Sequence, residues 1–140
     1  MDVETTFVEF STQGKTDIID LTEEVQQKIT DSQFSEGSVL VSAIGSTTGI
    51  TTVEFEPGLV NHDIKEMFSK IAPYGVDYKH NKTWGDDNGA AHLRSTITGT
   101  SETYPFQNRK LILGTWQQII FLDYDTRPRS RRVVVQISGK

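Results

Sequence analysis

The polar groups able to do chemistry crowd into the stretch 87–117. It reads Asp87-Asn88-Gly89-Ala90-Ala91-His92-Leu93-Arg94-Ser95, passes Gly99-Thr100, and closes on Leu113-Gly114-Thr115-Trp116-Gln117. An imidazole, a guanidinium, hydroxyls, glycines and an amide in one stretch suit a wall of a small-molecule site. The chain has only three histidines, His62, His80 and His92. A catalytic divalent site needs about three protein ligands and an open position. His80 and His92 with a carboxylate such as Glu54 or Asp63 would supply one, for zinc or magnesium. The spacing matches no local ligand motif, so the same rings would serve as surface or hydrogen-bonded side chains.

The other candidates carry similar alternatives. Glu54, at the end of an alternating strand, is a general base or ligand, or a carboxylate on the solvent face. On a helix Ser95 follows His92 at i+3 and shares its face more nearly than Arg94 does. Ser95 is therefore the expected catalytic partner of His92, and Arg94 an interface residue. Ser46, Thr47 and Thr48, inside Gly45-Ser46-Thr47-Thr48-Gly49, form either a turn or a nest of N–H groups and hydroxyls facing an anion. Thr115, Trp116 and Gln117 follow Gly114; the indole stacks on a ligand ring or sits in the core with its N–H satisfied. Arg131, among Arg127, Arg129 and Arg132, is a bidentate phosphate partner or a solvated edge.

Around these residues the periodicity predicts an α+β domain spanning 1–140, with a largely antiparallel sheet and two to three helices. Residues 3–12 alternate as a strand, and 16–19 pair back briefly. Asp20-Leu21-Thr22-Glu23 has capping-box spacing ahead of an apolar stripe at Leu21, Val25 and Ile29. Residues 39–44 and 50–55 read as two strands joined by the small-residue loop. A helix beginning near Leu59 stops before Pro73, where the residue preceding proline leaves the α region. Residues 74–86 lack periodicity and read as a long functional loop. Residues 90–98 form a helix closed by Gly99, or a strand given Thr96, Ile97 and Thr98. Strands follow at 100–106, 110–113, 118–124 and 131–138, the first two joined by a turn at Gln107-Asn108.

Composition excludes several classes. At 35% hydrophobic and 24% charged, the 140 residues suit an ordinary globular domain with a real core. There is no cysteine, so disulfides, zinc thiolates and cysteine nucleophiles are ruled out. A net charge of −5 argues against general nucleic-acid binding. No apolar run approaches membrane-spanning length, and no leader pattern precedes the first strand, so a cytoplasmic protein is expected. P-loop, dinucleotide-binding and nucleophile-elbow motifs are absent.

Taken together, Gly45-Ser46-Thr47-Thr48-Gly49-Ile50, Glu54, Pro57-Gly58-Leu59, Asp63, Tyr78-Lys79-His80-Asn81, His92-Leu93-Arg94-Ser95, Leu113-Gly114-Thr115-Trp116-Gln117 and Arg131-Arg132 resemble the YjbQ-like family over nearly the whole chain. The resemblance implies a compact α+β homotrimer with clustered histidines able to hold a metal near the subunit interface. It also implies a weak secondary thiamine-phosphate synthase activity, with a phosphorylated small molecule as ligand. Many family members carry histidine where this chain has Gly45 and Ala90. That departure leaves His80 and His92 as the imidazoles to carry over.

Overall fold

The computed structural model describes residues 2–140. Eight strands form two antiparallel sheets. The larger joins β1 (Asp2–Thr12), β8 (Arg129–Gly139), β3 (Glu36–Ala43), β5 (Ser101–Gln107) and β6 (Lys110–Leu111) in that order. The smaller runs β2 (Asp17–Asp20), β7 (Gln118–Asp123), β4 (Thr48–Val53). Helix α1 (Thr22–Asp31) follows β2. A π-turn at Leu59–Asp63 leads into α2 (Ile64–Ile71), and α3 (Lys79–Trp84) and α4 (Gly89–Thr98) follow.

Strand β7 explains the layering. It is buried from Ile119 to Asp123, as expected for a strand covered on both faces. Ile119 and Phe121 point into the main core with Val25 and Ile29 of α1, Val39 and Val41 of β3, and Val133 and Val135 of β8. Ile120 and Leu122 point the other way, against Val60, Phe68 of α2 and Ala91 of α4. The small sheet thus lies between the large sheet on one side and α2 and α4 on the other, and the second layer of core fixes α4. Gly49 allows the close approach. A Cβ there would fall 2.6 Å from Thr98 Cγ2 of α4, inside any tolerable contact.

The expected α+β antiparallel domain is present. Asn108 and Arg109, with φ of 54° and 63°, make the tight turn between β5 and β6, a conformation matched to strand twist. The pairing differs from the local reading. Strand β2 pairs with β7 rather than back onto β1, because Ile18 gains burial on the second core. Strands β3 and β4, close in sequence, belong to different sheets. The expected long loop contains α3, closed by Gly85 at φ 67°. Residues 90–98 are helical, so packing of Ala90, Ala91 and Arg94 overrides the β-branched tail. Asp20 caps differently from the box: its Oδ1 accepts from the N–H and the hydroxyl of Thr22 (3.0 and 2.7 Å), the first helical residue.

Candidate functional site

Helices α3 and α4 meet at an elbow that sets two imidazoles against each other. Gly89, the first residue of α4, donates its N–H to Asn81 Oδ1 at 2.9 Å, which satisfies one of the free donors of a helix start. A Cβ on Gly89 would lie 2.6 Å from Tyr78 Cβ, so only glycine lets the helices come this close. His80 and His92 then face each other edge-on, ring centroids 4.4 Å apart at 62°. Both are half-buried. His80 Nε2 lies 3.0 Å from Oδ1 of the buried Asn88. The amide oxygen can only accept, so Nε2 donates and the neutral ring keeps its Nδ1 lone pair free. Such an outer contact is how proteins orient an imidazole for a ligand.

The expected third ligand does not join them. Glu54 stands exposed just beyond β4, and His62 pairs with Asp63 at 2.8 Å on the surface. Among the described residues no three His, Cys, Asp or Glu side chains group as a metal site. Two imidazoles fall short of the three ligands a catalytic zinc uses, so one chain by itself does not fit a tightly held divalent ion.

The opposite face of α4 turns inward. Ala90, Ala91, Arg94 and Ser95 form its buried face. Ser95 is therefore one turn from His92 yet packed rather than presented. Arg94, expected at an interface, is instead 2% exposed inside its own chain. Its Nε donates to the Ala72 carbonyl (2.9 Å) and Nη1 to Thr16 Oγ1 (2.8 Å). The guanidinium lies 4.1 Å from the Tyr74 ring centroid and 5.6 Å from that of Phe68. No carboxylate pairs with it among the described residues, and burial pulls its pKa below the ordinary arginine value. Stacking and two hydrogen bonds replace the counterion.

Arg131 is the opposite case. Its Nε and Nη2 clasp the fully buried Asp123 at 2.7 and 2.9 Å, and Nη2 also reaches Thr47 Oγ1 at 3.1 Å. Thr12 Oγ1 donates to the same carboxylate at 2.5 Å. Asp125 beside it bonds Thr47 and Arg129 at 3.3 and 3.2 Å. Burial pushes the Asp125 carboxyl up, but the Thr126 N–H, Arg129 and Thr47 outweigh it and hold its pKa below 3.8. Hydrogen bonds to Asp123 lock Arg131 further into its charged form. The Thr47 hydroxyl and most of Arg131, both expected to hold phosphate, are committed to this internal network.

The closing turn of the polar stretch is elsewhere again. Thr115 and Gln117 line a cleft of about 530 Å³ against α1, with Gln26, Gln27 and Leu113. Gln117 Nε2 donates to Thr52 Oγ1 at 3.1 Å, and Trp116 is 69% exposed. The indole therefore does not sit in this chain's core. The expected single wall divides into an α3–α4 histidine pair, a β-strand charge network and an exposed aromatic turn. Asn81, named in the sequence only within the Tyr78-Lys79-His80-Asn81 string, holds the elbow, and Asp123, which carries the network, did not stand out in the sequence. Asp123 is hidden inside an apolar strand, and its only signal is the arginine run that follows.

Known proteins share this fold. The model of the UPF0047 protein YjbQ-like family matches residues 6–140. The chain belongs to this family. A UPF0047 protein of Archaeoglobus fulgidus is 42% identical over 125 residues, covering 89% of this chain and 94% of that protein. YugU of Bacillus subtilis is 30% identical over 132 residues, 94% and 97% of the two chains. Among solved structures, a hypothetical protein of Aeropyrum pernix superposes with a TM-score of 0.90 at 31% identity, over 98% and 99% of the chains. A protein of Sulfolobus solfataricus, described as of unknown function, gives 0.88 at 29% over 99% and 100%. The YjbQ-like family thus fixes the fold without fixing a reaction.

Proposed function

We propose that the chain is a small-molecule enzyme of the secondary thiamine-phosphate synthase type, working weakly on hydroxymethylpyrimidine diphosphate and thiazole phosphate. The thiazole nitrogen would attack the pyrimidine methylene carbon. The C–N bond forms as the C–O bond to diphosphate breaks, and diphosphate leaves with the bonding pair. The protein's part is to align two phosphorylated ligands and stabilise the departing charge. The observation that supports a site is the pair of half-buried imidazoles at the α3–α4 elbow, one with its tautomer set by buried Asn88. A divalent ion would need a third donor from a neighbouring subunit of the proposed homotrimer.

The test is product formation by purified protein given both substrates. His92→Ala with an unchanged circular dichroism spectrum should abolish turnover, and full activity in that variant would sink the reading. A second reading, a non-catalytic module for a phosphorylated metabolite, draws support from one feature. Neither His80 nor His92 has a carboxylate partner among the described residues to tune it for proton transfer. Thermal stabilisation by a ligand without turnover would favour it.

A further inference from the structure

Helix α3 brings no residue to the core. None of its six residues, Lys79–Trp84, is buried, so the packing of an apolar stripe does not explain why the helix is there. Polar contacts hold it instead. Asn81 Oδ1 takes the Gly89 N–H, His80 meets Asn88, and the Tyr78 hydroxyl donates to the Pro73 carbonyl at 2.7 Å. What α3 presents is two rings. His80 and Trp84 stand four residues apart, and helical side chains at i and i+4 lie one above the other on one face. His80 uses that face to meet His92, so Trp84 is placed one turn beyond the imidazole pair. Gly85, at φ 67°, ends the helix directly after it. The indole is 81% exposed and has no aromatic or cation partner among the described residues.

The chemistry of these rings selects a ligand. An indole left this open to water contributes little to folding, because an aromatic side chain stabilises through the area it buries. Its flat face is a platform on which another flat ring can stack. The imidazoles set what that ring should carry. His80 Nε2 is spent as a donor to Asn88 Oδ1, which leaves Nδ1 an acceptor. A ring lying on the indole with an N–H at its edge finds a partner there. We propose that Trp84 is the stacking residue of the elbow and seats a planar nitrogen heterocycle whose exocyclic amino group turns toward the imidazole pair. The inference deepens the proposed function, whose pyrimidine is such a ring, and rests on that reading for the class of ligand. It gives Trp84 the stacking role expected of Trp116, which sits in the turn bordering the α1 cleft.

The chain has two tryptophans, so Trp116→Phe leaves Trp84 as the sole indole reporter. Titrating 4-amino-5-hydroxymethyl-2-methylpyrimidine into that full-length protein should quench its emission saturably. By calorimetry, Trp84→Ala and Trp84→Leu should each weaken binding of the same probe by about tenfold or more, and Trp84→Phe by less. The ring 2-methylpyrimidine, which lacks the amino group, should bind more weakly. Because α3 brings nothing to the core, the three variants should melt as wild type does, so a lost affinity reads the ring and not the fold. Full affinity in Trp84→Leu would leave apolar contact without stacking and overturn the proposal. No saturable quenching up to tens of millimolar probe would overturn it as well. Equal binding of the two pyrimidines would overturn the role given to the imidazole edge. The rival occupant is a second copy of this chain. Trp84 emission shielded from iodide before any ligand is added, with a smaller particle in sedimentation of Trp84→Ala, would make the indole a subunit contact and overturn the ligand seat. These titrations read no turnover. Trp84-dependent binding without synthase activity therefore sinks the synthase reading alone, and synthase activity unchanged in Trp84→Ala sinks only the stacking role.

Discussion

The Asp123 network and the His80–His92 elbow are both polar, yet they differ in what remains unspent. Around Asp123 both carboxylate oxygens are occupied, by Thr12, Arg131 and the Asp125 N–H. This cluster holds β7, β8 and β1 together and has little bonding capacity left over. At the elbow, one ring is anchored by Asn88 and the other makes no side-chain hydrogen bond among the described residues. Unspent lone pairs at a half-buried surface suit a ligand, whereas a closed network suits the fold. The two regions should therefore respond oppositely to mutation.

The largest effect is expected at Asp123. Asp123→Asn removes the clasped counter-charge of the largely buried Arg131 and leaves it only Asp125 at 3.6 Å, and breaking one side of such a pair costs about 3–5 kcal/mol. Urea unfolding should show the midpoint collapse. A loss below about 1 kcal/mol would mean that the network is not structural. Gly89→Ala comes next. Its methyl meets Tyr78 Cβ at 2.6 Å, and overpacking of this kind costs about 1–3 kcal/mol. The helices must separate to admit it, so the histidine ring resonances of both His80 and His92 should shift in NMR spectra. A melting loss with both rings unmoved would show that the elbow does not position the pair.

Local rules reached the parts of this molecule that local chemistry governs. The stop before Pro73, the Gly99 terminus and the tight turn after Gln107 follow from one or two residues and their backbone preferences. Strand order escaped because β2 and β4 find β7 across long stretches of chain, and no periodicity encodes a partner. Arg94 misled for a related reason. Arginine is rarely buried, and the rings that take it in, Phe68 and Tyr74, lie more than a helix away in sequence. The site was legible as a concentration of polar residues but not as separate sites. The separation depends on which face of α4 is packed and on where Thr115 and Gln117 end up, against α1.

Acid should separate the two regions more gently. The folded pKa of Asp125 lies below its ordinary 3.8. Its contribution is thus fully present above that value and is lost as the pH falls through the folded pKa. Asp125→Asn should flatten the decline of the urea midpoint below about pH 4 relative to wild type. An unchanged slope would assign acid sensitivity to other carboxylates.

The smallest effect on stability is expected at His92. The ring is half-buried and makes no side-chain hydrogen bond among the described residues, so His92→Ala should move the unfolding free energy by about 0.5 kcal/mol or less. It forfeits its edge-on contact with His80. A side chain that contributes so little to folding, held by a glycine-dependent elbow with no room to spare, needs some other reason to be placed there. Ligand affinity or turnover is where that reason should register, so His92→Ala should lose function with its melting curve unmoved. If instead the melting temperature falls as it does for Gly89→Ala while ligand response persists, the imidazole pair is packing. The contrast with the Asp123 network would then disappear.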